Sequence, residues 1–366
     1  MSAQHHQKQV SRVFFLIVLS LLVSGFFIFS SASLGKLNQD VSIFAKLASK
    51  QLAVLLTGFV IMLVVSKINY KNWRKYALPI LITTVLVTLL VFIPGIGIQS
   101  GGAKRWIDLY LFSLQPSEFF KLGLVIYFAA WIASVKDKVT TTKWGLVPLL
   151  VLLGLSAGVL ITQPDIGTFL VVAIALVSMY FVSGASYRDL AILALIGAIG
   201  AGGLAIYKPY IRERIITYIH PTADTLASSY QLNQSLIAIG SGGLFGRGFG
   251  QSIQKFSFLP EPIGDSIFAV ASEEFGFIGA SLLISLFLLF ALWGFKIAAN
   301  APDTFGRLLS MSIVIMILTQ SFMNISAMLG LIPLTGDPLI FVSQGGSSLL
   351  FALTGSGIIL NISRYA

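Results

Sequence analysis

The chain contains no cysteine, and charged residues are scarce: Asp, Glu, Lys and Arg make up 10% of its 366 residues. The missing thiols exclude disulfide bonds, cysteine nucleophiles and cysteine-ligated metals. The scarcity of charge excludes an ordinary soluble surface, because soluble domains are about 25% charged. The three histidines, His5, His6 and His220, do not have the spacing of a metal site.

Apolar residues fill most of the chain instead. Hydrophobic residues make up 56% of it, and its mean hydropathy is +0.90. The net charge of +10 comes from basic residues scattered between apolar segments, a pattern that suits anionic lipid headgroups and the control of membrane topology. No module combines basic residues with stacking aromatic residues, so nucleic acid is not expected as a partner. The composition predicts an all-α polytopic membrane protein.

The apolar segments can be counted, because a helix needs about 20 apolar residues to cross a bilayer core. Ten spans are predicted, near residues 13–33, 50–67, 75–95, 118–135, 144–162, 167–183, 188–207, 274–297, 307–330 and 342–363. The first segment is longer than the roughly 7–15 apolar residues of a signal-peptide core, so we expect an uncleaved first helix.

The distribution of basic residues predicts the orientation of these spans. Thirteen lie in short segments on the side of the N-terminus, and five lie in short loops on the other side. The positive-inside rule then places both termini in the cytoplasm, in a multi-pass protein of the cytoplasmic membrane. A long outer loop, about 208–273, connects spans seven and eight, and no separate soluble domain is visible. We therefore expect one membrane domain over 1–366 with its chemistry at the outer face.

The outer loop ends in the sequence FLPEPIGDSIFAVASEEFG (258–276), which holds four of the 14 acids in the chain. Asp265 is the candidate general base, since a carboxylate at a low-dielectric boundary becomes more basic. Glu261, flanked by two prolines, is predicted to be a rigid loop residue. Glu273 and Glu274 are predicted to complement the helix dipole at the start of span eight.

Basic residues of the outer loops are candidates for binding phosphate, because a guanidinium group binds phosphate oxygens in a bidentate manner. These are Lys104, Arg105, Arg212, Arg214 and Arg247. Lys104 and Arg105 are equally compatible with ordinary interfacial anchors. Arg247 lies in GSGGLFGRGFG, whose six glycines indicate either a tightly packed turn or a backbone that approaches a polar ligand.

Three further polar residues fall at or inside the predicted spans. Glu118 and Lys121 are three residues apart and share a helix face, so we expect an intramembrane ion pair that holds the wall of a cavity. Asp165, in TQPDIGT, is either the N-cap of span six or a polar group that lines the same outer cavity.

Several long motifs follow one another from about residue 100 to the end of the chain. They are GAKRWIDL, LQPSEFFKL, TQPDIGT, YQLNQSLIAIGSGGLFGRGFG, FLPEPIGDSIFAVASEEFGFIG and GLIPLTGDPLIFVSQGGSSLL. In this order they resemble the SEDS family (shape, elongation, division and sporulation). The stretches FLPEPIGDSIFAV and GFGQSIQKF are more similar to the division branch than to the elongation branch.

The resemblance implies a ten-span peptidoglycan glycosyltransferase that polymerises lipid II into glycan strands at the outer membrane face. The implied partners are a class B penicillin-binding protein with transpeptidase activity and other division proteins. Asp265 stands at the place of the family's essential acid. The resemblance also extends to Arg105, Glu118, Lys121, Asp165, Arg212 and Arg247. Asp337 stands where an apolar residue is usual, and Gln344 where tyrosine is common.

Two other classes of function are compatible with ten spans. One is a lipid or solute transporter, such as a lipid II flippase, but the paired broken helices of many transporters are not visible, and the polar motifs cluster on one side. The other is a non-catalytic scaffold, which would not need the outer acid and the arginines together. A divalent cation, Mg or Mn, would share the role of the arginines if present, although the sequence shows no set of metal ligands.

Overall fold

The protein is predominantly helical in a computed structural model that describes residues 3–36, 41–100, 103–108, 113–219 and 228–365. This confirms the all-α class. Residues 220–227 of the predicted outer loop, with His220, lie outside the described residues.

Thirteen α-helices occur within the described ranges. They are α1 Ala3–Ser33, α2 Val41–Val65, α3 Lys71–Lys75, α4 Ala77–Leu89, α5 Pro116–Val135, α6 Leu146–Leu160, α7 Ile166–Val182, α8 Tyr187–Tyr207, α9 Pro209–Ile219, α10 Ser228–Ser241, α11 Ile267–Ala299, α12 Thr304–Met328 and α13 Gly346–Ile362. A small antiparallel sheet precedes α5, with β1 Gly97–Ser100, β2 Ala103–Asp108 and β3 Ser113–Leu114 in that order. The sequence analysis did not anticipate this sheet.

Ten helices of the described chain are markedly apolar. Six are long and apolar enough to cross a membrane, namely those at Gln9–Ser33, Phe44–Val65, Pro116–Thr140, Tyr187–Tyr207, Ile267–Ala299 and Thr304–Met328. Four shorter ones occupy Ala77–Phe92, Leu146–Leu160, Ile166–Val182 and Gly346–Ile362. Their positions match the ten predicted spans, and the number that cross the bilayer stays a prediction. The eighth begins earlier than predicted, because α11 begins at Ile267 and not near residue 274.

Local sequence signals explain several helix starts. The side chains of Asp165, Ser186 and Asp303 each accept a hydrogen bond from the backbone N–H three residues later, at the starts of α7, α8 and α12. Such caps satisfy N–H groups that have no partner inside the helix. Pro116 occupies the first turn of α5, where its missing N–H costs nothing.

The core of the bundle lies around α5, α12 and α13, and nearly every residue of α13 is buried. Helix α12 packs against α5, α7 and α11, while α2 packs along α13 and α1 packs along α11. By contrast, only Asp189 and Leu193 of α8 are buried. The central helices therefore form a packed core, and the loops at one end of the bundle rest on it.

Candidate active site

Asp265 is the second residue before α11, and its side chain is partly exposed. Its backbone carbonyl accepts a hydrogen bond of 2.8 Å from Nδ2 of Asn324 in α12. The same Nδ2 donates to the backbone carbonyl of Asp337, also at 2.8 Å. One buried amide of α12 therefore fixes the loop that carries Asp265 against the segment between α12 and α13.

Two further hydrogen bonds join the same two segments. Ser343 Oγ donates to the Gly264 carbonyl at 2.8 Å, and the Gln344 N–H donates to the Ile263 carbonyl at 2.8 Å. Together with the Asn324 bond, these two bonds hold the backbone carbonyls of residues 263–265, so backbone contacts set the position of Asp265. Preorganised placement of this kind is what a catalytic group requires.

Two arginines supply positive charge to Asp265. Arg214 of α9 donates from Nη1 to the Thr335 carbonyl at 2.9 Å. A Cβ added to Gly336 would lie 3.5 Å from Arg214 Nη2 and 3.7 Å from Asp265 Oδ2, so the guanidinium and the carboxylate flank this glycine. Arg105 of β2 donates to the carbonyls of Gln163 and Pro164, which anchor it at the turn before α7.

The surroundings make Asp265 more basic than an ordinary aspartate. Burial and the charge of Glu261 raise the pKa of Asp265 to about 6, against the opposing effects of Arg214 and Arg105. The group is ionised at neutral pH and able to accept a proton, as a general base must be. Glu261 has a φ of +47°, and its carbonyl accepts bonds from the N–H groups of Gly264 and Ser266, so its backbone forms the turn before Asp265.

Asp165 is buried beneath the start of α5. Its Oδ1 accepts the N–H of Thr168 as an N-cap, while its Oδ2 accepts from Gln115 Nε2 at 3.1 Å and from Ser117 Oγ at 3.4 Å. The N-cap interpretation of Asp165 therefore has a structural counterpart, and the alternative, that Asp165 lines an outer cavity, stays a prediction.

Glu118 and Lys121 lie within the bundle with their charged atoms 2.8 Å apart, and both side chains are buried. Lys121 Nζ also donates to Gln320 Oε1 at 2.6 Å and lies 4.5 Å from the centre of the Phe351 ring. The pair thus connects α5 to α12 and α13, and its predicted role in holding the wall of a cavity stays a prediction.

The other predicted phosphate ligands are placed differently. Arg247 Nε lies 3.3 Å from Glu273 Oε1, so Arg247 forms an ion pair and is not among the charges that act most on Asp265. Arg212 and Lys104 are exposed and form no ion pair within the described residues. The structure therefore brings Arg105 and Arg214 to Asp265, and the roles assigned to the other three stay predictions.

The glycine-rich segment 240–250 packs its backbone directly on α11. A Cβ at Gly242 would collide with the Ser272 carbonyl, and a Cβ at Gly246 would collide with the Glu274 carbonyl. Helix α11 is itself interrupted at Gly276, which adopts φ 65° and ψ −167° where the segment passes over it. Close backbone contact with α11 thus accounts for these glycines without a ligand.

Glu274 belongs to a buried ion pair that the sequence analysis missed. Lys255 Nζ lies 2.6 Å from Glu274 Oε1, and both side chains are almost fully buried. Ser31 of α1 donates to Glu274 Oε2, and its Oγ lies 3.3 Å from Lys255 Nζ. The pair therefore joins the C-terminal end of α1 to α11 and to the loop between α10 and α11.

Glu273 binds the same loop through its backbone and a hydroxyl. It accepts from Ser252 Oγ at 2.6 Å and from the Ile253 N–H at 3.0 Å. Neither Glu273 nor Glu274 lies in the first turn of α11, which begins at Ile267. A helix-dipole role for them where the helix resumes after Gly276 stays a prediction. Two adjacent acids in an apolar stretch were the sequence signal for buried partners. The partners themselves could not be predicted, because they are distant in sequence or lie in an irregular loop.

No three acidic or histidine side chains of the described residues are arranged to hold a metal ion. A shared role for a divalent cation, Mg or Mn, stays a prediction.

Comparisons with known proteins bear on the identity of this site. The family described as "Cell cycle protein" (FTSW_RODA_SPOVE) matches residues 11–366. The chain is 40% identical over 353 residues to stage V sporulation protein E of Bacillus subtilis, covering 96% of both chains. It is 37% identical over 359 residues to a probable peptidoglycan glycosyltransferase FtsW of Trichlorobacter lovleyi, covering 96% of this chain and 92% of the relative.

Solved structures show the same fold. A chain from a study of polymerization and crosslinking by a peptidoglycan synthase complex superposes with a TM-score of 0.79 at 26% identity, over 96% of both chains. The rod shape determining protein RodA of Thermus thermophilus superposes with a TM-score of 0.70 at 26% identity, over 96% of this chain and 95% of that one. The resemblance found in the motifs is confirmed: this chain belongs to the SEDS family of cell cycle proteins, which includes FtsW, RodA and SpoVE.

Proposed function

We propose that this protein is a peptidoglycan glycosyltransferase that polymerises lipid II into glycan strands at the outer face of the cytoplasmic membrane. The observation that carries the proposal is the partly buried Asp265, held by Asn324 and accompanied by Arg105 and Arg214. The relatives named as probable peptidoglycan glycosyltransferases support it.

The proposed transfer uses these side chains as follows. Asp265 takes the proton from the acceptor sugar hydroxyl while that oxygen forms a bond to the anomeric carbon of the donor sugar. The bond from that carbon to the diphosphate breaks, and the diphosphate leaves with the electron pair. In this proposal Arg105 and Arg214, whose charges act on Asp265, bind the charge that develops on the departing group.

The same proposal names a partner and a process. A structural relative comes from a synthase complex that coordinates polymerization and crosslinking, so we infer a class B penicillin-binding protein as the transpeptidase partner. Relatives named FtsW support the division branch and other division proteins as partners. The elongation branch, represented by RodA, is the second candidate at 26% identity.

The function is tested with purified protein reconstituted in liposomes with lipid II. We expect glycan chains to form, and to form faster when the cognate transpeptidase is present. Movement of lipid II across the membrane without any joining of sugars would instead establish the transporter alternative. Absence of both activities in the presence of the partner would favour a scaffold.

The orientation is tested by cysteine labelling, because the chain has no cysteine of its own. Gln251→Cys and Lys138→Cys place thiols at two exposed positions. We expect a membrane-impermeant reagent to label Gln251→Cys in intact cells and to label Lys138→Cys only after lysis. Labelling of both positions in intact cells would contradict cytoplasmic termini and an outer active site.

A further inference from the structure

Asp337 is a buried acid that the proposed mechanism does not use. Only 6% of the residue is exposed, and its Oδ2 has no hydrogen-bond partner among the described residues. The carboxyl group packs against Gly167 in the first turn of α7, and a Cβ added at Gly167 would collide with it. An acid so enclosed cannot rely on water to stabilise its charge.

The surroundings of Asp337 are rich in other acids. Asp165 at the start of α7, Asp265 in the loop before α11 and Glu118 of α5 all act on it, and the one cation that acts strongly is Lys121. Lys121 already forms an ion pair with Glu118 and donates to Gln320. Asp337 therefore forms no ion pair within the described residues, and a buried carboxylate without a partner is costly.

The position of Asp337 ties it to the candidate base. The backbone carbonyls of Asp337 and Asp265 accept hydrogen bonds from the same Asn324 amide. The preceding residue, Gly336, lies between Arg214 and the Asp265 carboxylate. A change of charge on Asp337 would thus change the electrostatic potential at Asp265 and at the proposed site of the substrate diphosphate.

We propose that Asp337 is a positioning residue that acts through Asp265 and the phosphate-binding arginines: it must remain a neutral carboxylic acid for polymerisation, and loss of its proton switches the site off. The inference rests on the proposed function. The physical reason is that an ionised Asp337 would add a negative charge beside a site that has to receive an anionic diphosphate.

The protonation equilibrium agrees with this assignment. Burial and the neighbouring Asp165 raise the pKa of Asp337 well above its usual range, with smaller contributions from Asp265 and Glu118 and an opposing effect of Lys121. The folded protein thus holds this proton more tightly than the unfolded chain does. Stability should therefore fall as the pH rises from the ordinary aspartate range through the raised pKa, because the native state must then bury an anion.

The test compares the parent with Asp337→Asn and Asp337→Leu, both of which are permanently neutral. We expect parent polymerisation to fall on the alkaline side by about tenfold per pH unit once Asp337 ionises, as for any single proton required for activity. Both variants should lack this alkaline decrease. Asp137→Asn is the matched control, since it removes an exposed acid from the turn after α5 and should keep the parent profile.

A second readout does not depend on activity. The melting temperature of Asp337→Asn or Asp337→Leu, relative to the parent in the same detergent, should rise between pH 5 and pH 9, whereas Asp137→Asn should show no such trend. One outcome is that neither the parent nor any variant polymerises lipid II at any pH, while the pH trend in melting temperature still appears. In that case the proposed function fails, but the assignment of a neutral Asp337 stands.

Two results would overturn the inference. One is an alkaline decrease of the same midpoint in the parent and both variants, with melting differences that do not depend on pH. The other is a complete loss of activity at every pH in both variants although they fold and bind lipid II, since a permanently neutral side chain would then not support polymerisation. If Asp337→Asn fails to fold, the comparison of pH profiles and melting temperatures is made with Asp337→Leu alone.

Discussion

Asp265→Asn should reduce glycan polymerisation by about 10²-fold or more, the usual scale for the loss of a general base. The substitution keeps the size and polarity of the side chain but removes its ability to accept a proton. Folding and lipid II binding should survive, because the contacts that fix this loop are made by the backbone of residues 263–265. The measurement is the rate of glycan-chain formation in liposomes, with Asp137→Asn as the matched control.

The pH dependence of the parent provides a second check on Asp265. Its raised pKa of about 6 means that the carboxylate becomes protonated, and the base is lost, as the pH falls through this value. Polymerisation should therefore decline below about pH 6. Glu261→Gln removes the charge that raises this pKa, so its decline should begin at a lower pH.

Near-parental activity of Asp265→Asn would remove Asp265 as the base and make Asp165 or Glu261 the next candidate. A loss of lipid II binding in the same variant would show that Asp265 positions the substrate. Asp265→Glu should keep at most a small part of the activity, because the carboxylate remains but reaches a different point.

Lys255→Met should lower the free energy of unfolding by about 3–5 kcal/mol, since removing one partner leaves the buried Glu274 carboxylate unpaired. Glu274→Gln combined with Lys255→Met should recover much of this loss, because no buried charge then lacks a partner. The measurement is denaturant or thermal unfolding in detergent.

Arg247→Gln is the matched control for Lys255→Met, as it removes the other ion pair of the same loop. The Arg247 side chain is 38% exposed, whereas that of Lys255 is 0% exposed. Glu273 is buried, but without Arg247 it keeps its hydrogen bonds from Ser252 Oγ and the Ile253 N–H, and water can reach the position that the partly exposed Arg247 occupied. The control should therefore lower stability by less than Lys255→Met does. Equal effects of the two substitutions, or a double variant no better than Lys255→Met, would contradict the assignment of a buried pair.

Hydropathy alone predicted the positions of the apolar helices. A helix satisfies its own backbone hydrogen bonds, so each segment is stable in lipid without information from the rest of the chain. The helix start at Asp165 was equally local, because an N-cap bonds a backbone N–H three residues away. The family motifs added Asp265 as the candidate acid, but they could not say which arginines lie beside it.

Tertiary structure decided which charges meet. The charges of Arg105 and Arg214 both act on Asp265. Arg105 reaches this site because β2 holds it on the turn before α7, and Arg214 reaches it because α9 packs on the segment after α12. Arg247 has the same guanidinium group but forms an ion pair with Glu273 instead. Ser31 and Glu274 are 243 residues apart in sequence and still bond. Such pairings depend on the rotation and packing of whole helices, and a one-dimensional pattern of polar and apolar residues does not contain the relative rotation of two elements.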